Sequence, residues 1–299
     1  MFVRCKSQLS HQYRRVRSYL GKPKLVHQTK PVILSDENVC ENPVFLIGIH
    51  RSGTSLIRRI INSHSNIACP PETFFLEHFS QILRDHNTYA GLRGVGVDEL
   101  DVPREIGRWA SRHHEAFRLA EGKSRWADKT PQYIGILPEI SEMFGDRTQY
   151  IMIFRHPLDV VYSIFNRGWS FGEYDSDPLV STAKYVKDSL YKQMSFIEKN
   201  SDKCFHLKYE SLMKDPVAVL KAVCAFLNEP WEPSLLKFND FNHGFGTEDP
   251  IVRGTCGFAP SHDNWKSLKH EQLDLILPHL EAVAEELGYS YVTKQAIAS

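Results

Sequence analysis

Nothing in these 299 residues approaches a membrane-spanning apolar run, so no membrane-crossing helix is expected. Net charge is also missing. The 36 Lys and Arg balance the 36 Asp and Glu, which removes any global electrostatic case for nucleic acid as a partner. The six cysteines (Cys5, Cys40, Cys69, Cys204, Cys224 and Cys256) lack the paired spacing of a zinc site, and no metal is expected. Without a secretory signal they read as reduced thiols, buried or incidental. Repeats and low-complexity segments are absent. Acidic residues are missing before Asp36, whereas Arg4, Lys6, Arg14, Arg15, Arg17, Lys22, Lys24 and Lys30 are all basic. This arm and linker, residues 1–40, is an organelle-targeting segment, a tether to an anionic surface or a solvated leader. A cytoplasmic location is expected, with organelle targeting left open by the arm. What remains, 42% hydrophobic and 24% charged residues, is ordinary for a globular chain with a sizeable core, and residues 41–299 are expected to form a single domain.

The chain is organised around residues 44–57. Val44 to Ile47 is an apolar run too short for a helix and suited to a strand buried on both faces. Gly48 to Thr54 then brings two glycines, a serine and a threonine, after which Leu56, Ile57, Ile60 and Ile61 fall at helical spacing. Strand, small-residue loop, helix is how an α/β protein sets backbone N–H groups around a phosphate at the positive end of a helix dipole. The nucleotide-hydrolysing version of that loop carries Gly-Lys-Ser/Thr. Here Gly48, Gly53 and Ser55 keep their places, Thr54 stands where the lysine belongs, and Arg51 sits inside the loop. An anion is expected, ATP hydrolysis less so; the bland alternative is a strand-turn-helix with incidental small residues.

Downstream, Pro70-Pro71 ends any regular element, and Glu72-Thr73 leads into Phe74-Phe75-Leu76, read as a helix with a carboxylate near its start. That carboxylate is either a dipole cap or a base beside the phosphate loop. Residues 84–125, with helical material around Ile106 to Leu119, are expected to be an insertion over the sheet edge, and the His113-His114 pair reads as solvated. Ser124 to Pro131 is a compact polar block anchored by Trp126, in which Lys129 stands between Asp128 and Thr130. Tyr150 to Phe154 is a second apolar strand. Arg155 follows it at once, on the rim where ligands bind an open parallel sheet, and Pro157 suits the first turn of the next helix. Asp159, Ser163 and Arg167 then share one helical face, either a second anion pocket or a salt-bridged exposed face. Gly168 to Pro178 is aromatic and loose, a candidate lid. Cys204 to Tyr209 reads as a third strand. Strands alternating with helices predict a three-layer α/β fold, a central parallel sheet flanked by helices on both faces, of the P-loop nucleotide-hydrolase type.

Two anion pockets on successive loops, the first lacking the ATPase lysine, suit a donor with phosphates at two ends, and the combination resembles the sulfotransferases. His-Arg-Ser-Gly-Thr-Ser at 50–55 is similar to the family's 5′-phosphosulfate loop, and Phe154 to Ser163 to its 3′-phosphate motif. Tyr209 to Pro216 resembles the family's Y-E-x-L-x-x-D-P segment, and Trp265-Lys266 with the helix ending at Gly288 its C-terminal segment. The spelling Arg-Ser-Gly-Thr and the later Pro-Glu-Thr resemble the protein-tyrosine sulfotransferases and their bacterial relatives. Two features depart from the pattern. His156 replaces the common aspartate, and Arg-Lys-Gly is only partly echoed by Arg253-Gly254.

The resemblance implies sulfuryl transfer from 3′-phosphoadenylyl sulfate (PAPS) to a hydroxyl or amine acceptor, with adenosine 3′,5′-bisphosphate (PAP) as the product and no metal. It implies Glu72 as general base and Lys129 and Arg51 as the cations of the transition state. Arg51, Ser52, Gly53, Thr54 and Ser55 would hold the 5′ end, and Arg155, Ser163 and Arg167 the 3′-phosphate. Tyr209, Trp265 and Lys266 would be further nucleotide contacts, with residues 84–125 and 168–180 shaping the acceptor site. The alternatives are a kinase-type phosphotransferase on the same loop and a non-catalytic nucleotide-binding protein.

Overall fold

A computed structural model describes residues 39–241, 243, 257–258 and 261–289. The basic arm up to residue 38, with Cys5, and the segment holding Arg253-Gly254 and Cys256 lie outside the described residues. In chain order the elements begin with β1 (Val44–Gly48), α1 (Thr54–Asn62), β2 (Ile67–Ala68), α2 (Leu76–Arg84), α3 (His86–Gly94) and α4 (Val102–Ala120). They continue with β3 (Arg125–Asp128), a 3₁₀ turn at Pro131–Ile136, α5 (Leu137–Phe144), β4 (Gln149–Phe154), α6 (Pro157–Phe165) and α7 (Pro178–Lys199). Then come β5 (Cys204–Lys208), α8 (Tyr209–Lys214), α9 (Pro216–Leu227), 3₁₀ segments at Pro233–Asp240 and Asn264–Ser267, and α10 (His270–Glu286).

Among the described residues the strands form one five-stranded sheet in the order β2-β3-β1-β4-β5, with every pairing parallel. Alternate residues of the central strands feed two separate cores. Phe45, Ile47, Tyr150, Met152 and Phe154 pack on one face, with α4, α5, α6, α7 and α10. Val44, Leu46, Ile151 and Ile153 pack on the other, with α1 and α9. A strand buried on both sides has no polar alternation to show, which is why these runs read as continuously apolar. The expected three-layer parallel α/β architecture is the observed one.

The strand order sets the ligand edge. From β1 the chain moves out to β2 and back through β3 on one side, then crosses to β4 and β5 on the other. Order therefore reverses between β1 and β4, and the loops leaving their carboxyl ends, Ile49–Gly53 and Arg155–His156, flank the crevice where such sheets take ligands.

Several local expectations are corrected. Glu72 does not start a helix: α2 begins only at Leu76, because Pro70-Pro71 and a Phe74 with φ +60 keep residues 70–75 in a turn. The block at 124–131 is built on a fully buried strand, β3, whose polar side chains find distant partners: Arg125 donates to the carbonyls of Asn42 and Leu227 and to Gln149 and Glu229. The segment 132–144, whose sequence reads as one helix from about Gln132 to Phe144, is a 3₁₀ turn and then a helix, broken where Ile136 leaves helical geometry. Arg167 lies beyond the end of α6, in the turn that follows it. The short helix α3 was not legible in the polar residues 84–100. Gly107 of α4 reflects helix packing, since a Cβ there would lie 2.2 Å from the carbonyl oxygen of Met143 on α5. The described cysteines, Cys40, Cys69, Cys204 and Cys224, are free and buried.

Candidate active site

The loop after β1 folds back on the strand that launches it. A Cβ at Gly48 would lie 2.7 Å from Ser52 Oγ and 3.0 Å from Ile153 Cβ, so only glycine lets the loop close here. Ser52 donates both its N–H (3.0 Å) and its hydroxyl (2.7 Å) to the carbonyl of Ile49. Arg51 (φ +72) and Gly53 (φ +98) take left-handed backbone, which turns the chain into α1 at Thr54. The first amides of a helix have no partner within it, so those of Thr54 and Ser55 are set for an anion. A Cβ on Gly53 would meet the Tyr209 ring at 2.6 Å, so the tyrosine that opens α8 closes one side of this loop.

The loop after β4 joins it. Arg155, 6% exposed, donates through Nη1 to the carbonyl of Arg51 (2.8 Å) and through Nη2 to that of Ser261, and its guanidinium lies 4.7 Å over the Tyr209 ring. Its buried Nε has no partner among the described residues. Arg51 Nε donates to Ser163 Oγ on α6 at 2.9 Å, so the two expected anion pockets are in direct contact. The guanidinium groups of Arg51 and Arg167 both sit over the Trp169 ring, at 5.7 and 5.4 Å.

A third group comes from β3. Lys129 directly follows that strand, is buried, and pairs with Glu72 while standing 3.5 Å from Ser55 Oγ. The Glu72 side chain retains 23% exposure. Glu72 and Lys129, 57 residues apart in sequence, therefore meet at the mouth of the phosphate-type loop. The structure thus brings together Glu72, Lys129, Arg51, the loop 52–55, Arg155, Ser163, Arg167 and Tyr209. Trp265 packs beside them: it stacks on His156 at 5.7 Å, its N–H donates to Asp159 Oδ1, and its buried indole N–H has no partner among the described residues. Lys266 does not join the cluster. It is 57% exposed and pairs with Asp263.

Two groups of residues escaped the sequence reading. Of the His113-His114 pair only His113 is exposed. His114 is 1% exposed, and its Nε2 donates to the fully buried Asp128 at 2.6 Å. The signal was present, because Ile106, Ala110, His114 and Arg118 recur every four residues and all face inward. The second group surrounds His50, whose ring stacks on Phe171 (4.1 Å), which in turn stacks on Tyr185 (4.8 Å). The candidate lid is thus packed on the loop through Phe171 and Trp169. Burial, with Lys129 and Arg51 nearby, pushes the His50 pKa down to about 3, and burial raises that of Tyr185, so a neutral imidazole and a neutral phenol share the 2.9 Å hydrogen bond between His50 Nδ1 and the Tyr185 hydroxyl.

A histidine whose folded pKa lies below its unfolded value of 6.5 binds protons better in the unfolded chain. Its contribution to stability is complete above pH 6.5 and is lost as pH falls from there toward 3. The cost is at most about 1.4 kcal/mol per pH unit. Melting between pH 8 and pH 5 is expected to show wild type losing on the order of 2 kcal/mol more than His50→Asn, which keeps an acceptor for Tyr185 but cannot titrate. Parallel pH curves for the two proteins would contradict this.

No group of three or more His, Cys, Asp or Glu among the described residues has the geometry to hold a metal ion, and no described helix is long and apolar enough to cross a membrane. A parallel α/β sheet with a glycine-rich anion loop at its switch point defines a P-loop-like fold. The sulfotransferase family model matches residues 43–233, and the chain belongs to that family. It is 23% identical over 204 residues to the protein-tyrosine sulfotransferase of Drosophila melanogaster, covering 66% of this chain and 40% of that protein. It is 29% identical over 130 residues to the nodulation protein NoeE of Sinorhizobium fredii (strain NBRC 101917 / NGR234), covering 40% of this chain and 30% of that one. The chain thus spans well under two thirds of the length of these curated relatives. The sulfotransferase domain of the Synechococcus PCC 7002 olefin synthase shares the fold, with a TM-score of 0.61 and 23% identity over 84% of this chain and 96% of that domain.

Proposed function

We propose that this protein transfers a sulfuryl group in line from PAPS to a hydroxyl or amine acceptor. The donor supplies an activated sulfuryl group on a 3′,5′-bisphosphate leaving group. Arg155, Ser163 and Arg167 hold the 3′-phosphate, an assignment supported by the buried Nε of Arg155, which has no partner among the described residues, and by the Arg51–Ser163 bond. The guanidinium fork suits phosphate as a lysine does not. The loop 51–55 cradles the 5′ end, consistent with a Gly53 whose Cβ would crowd Tyr209. Arg51, Lys129 and the first amides of α1 stabilise charge developing on the sulfuryl and leaving oxygens, the kind of interaction worth about 3–4 kcal/mol per donor in other enzymes. Glu72 takes the acceptor's proton onto its carboxylate. Tyr209 and Trp265 flank the nucleotide, and residues 84–125 and 168–180 shape the acceptor site.

The observation that carries the reading is Lys129, which touches both the carboxylate proposed as base and the hydroxyl at the head of α1. Thermal-shift titration tests it. PAP is expected to raise the melting temperature without magnesium, by the equivalent of about 2.7 kcal/mol at a hundredfold excess over Kd. Label from sulfur-radiolabelled PAPS should pass to a member of a phenol, sugar and amine panel. Melting that ignores PAP and rises with Mg-ATP would replace this reading with the phosphotransferase one; tight PAP binding without transfer would replace it with a binding protein.

A further inference from the structure

Glu72 immediately precedes a turn that its own sequence does not favour. Phe74 has φ +60, and Phe75 N–H donates to the carbonyl of Thr73 at 2.7 Å, a three-residue turn of the strained kind. Such backbone persists only where its surroundings over-determine it. Here those surroundings are one buried acceptor. Asp128, 0% exposed, accepts on Oδ2 from the Thr73 hydroxyl (2.6 Å) and from His114 Nε2 (2.6 Å), and on Oδ1 from the Thr130 hydroxyl (2.8 Å). Thr130 Oγ1 in turn accepts the Thr73 N–H (3.1 Å). Tyr133 O–H stands 2.7 Å from Thr73 Oγ1 and accepts the Leu76 N–H at 3.1 Å. Each donor has one acceptor, Asp128 takes three bonds from three parts of the chain, and the buried Nδ1 of His114 has no partner among the described residues.

Thr73 is the residue after Glu72, and Asp128 and Thr130 are the neighbours of Lys129. The network therefore ties together the backbones that carry the proposed base and its cation. Of the three donors to Asp128, His114 is the one supplied from outside these two segments. It is delivered by α4, stacks on Trp126 at 4.4 Å, and lies 5.2 Å from the Phe75 ring. We propose that His114 is a positioning residue: through Asp128 and Thr73 it holds Glu72 against Lys129 in the geometry that proton removal needs. This rests on the reading of Glu72 as the base. The nucleotide grip is built elsewhere, from Arg51 and Arg155 on the β1 and β4 loops, Ser163 on α6 and Tyr209 at the start of α8, so loss of His114 should leave it intact.

The test is a double-mutant cycle on initial transfer rates from radiolabelled PAPS to the acceptor panel, with PAP affinity and melting temperature measured alongside. His114→Leu is expected to slow transfer by about 100-fold, the scale of a small misplacement at a reacting centre, with PAP affinity unchanged. His114→Gln, whose amide can donate to Asp128, is expected to recover most of the rate. In a Glu72→Gln background His114→Leu should cost nothing more, because a residue that acts through another is silent once that other is gone. If His114→Leu fails to fold, Thr73→Val takes its place in the cycle, with Thr73→Ser as the rescue. Multiplicative losses, or a glutamine no better than leucine, overturn the inference while leaving Glu72 as base. Full turnover in Glu72→Gln alone removes the base and this inference with it.

Discussion

Glu72→Gln is expected to lower turnover by about 10²–10⁴-fold, the usual contribution of a positioned general base, while PAP binds as before. The amide is nearly isosteric, and its oxygen can still accept from Lys129, so the pairing that orders both side chains survives in weakened form. What it cannot do is take a proton. Lys129 is the instructive contrast, since it touches the Ser55 hydroxyl as well as Glu72. Its removal should damage charge stabilisation and base placement together, whereas Glu72→Gln isolates the proton. Initial rates at saturating PAPS, with PAP affinity from calorimetry, make the measurement; unaltered turnover would place the base elsewhere.

Arg155→Ala is expected to weaken PAP binding by about 10²–10⁴-fold, as two charge-assisted hydrogen bonds of about 1.5–3 kcal/mol each are lost. Adenosine 5′-phosphate, which lacks the 3′-phosphate, should lose far less. The difference between the two ligands is the informative quantity, because Arg155 also donates to the carbonyls of Arg51 and Ser261 and covers Tyr209. Collapse of those contacts would weaken both nucleotides alike. Equal losses would therefore assign Arg155 to loop structure and remove the 3′-phosphate argument.

The central strands and the first anion loop were legible because their causes are local. Val44 to Ile47 and Tyr150 to Phe154 are apolar on both faces, and Gly48 and Gly53 mark a turn that side chains would block. β2 and β3 were not legible, for opposite reasons. Ile67–Ala68 is too short to show a period, and Arg125 to Asp128 is polar in sequence yet buried in the fold. Arg125 is satisfied by Asn42, Gln149, Leu227 and Glu229, and Asp128 by Thr73, Thr130 and His114. A window of neighbours cannot reveal partners up to 104 residues away. The same holds for the site. Arg51 and Arg155 stand out by their place after a strand, but the meeting of Glu72 with Lys129 depends on β3 lying beside β1, which only the sheet order supplies.

If Arg51 and Ser163 grip the two ends of the donor as proposed, the bond between them has a consequence for competition among nucleotides. Because the two halves of the cradle touch, a molecule that engages one half delivers its other end to the second as a tethered ligand, at an effective concentration far above its bulk value. Mononucleotides and inorganic phosphate gain one half without that tether. On the proposed function, a crowded pool of abundant single-ended anions would thereby be a poor competitor, because chelation by two adjoining clamps would add to the contacts of Tyr209 and Trp265.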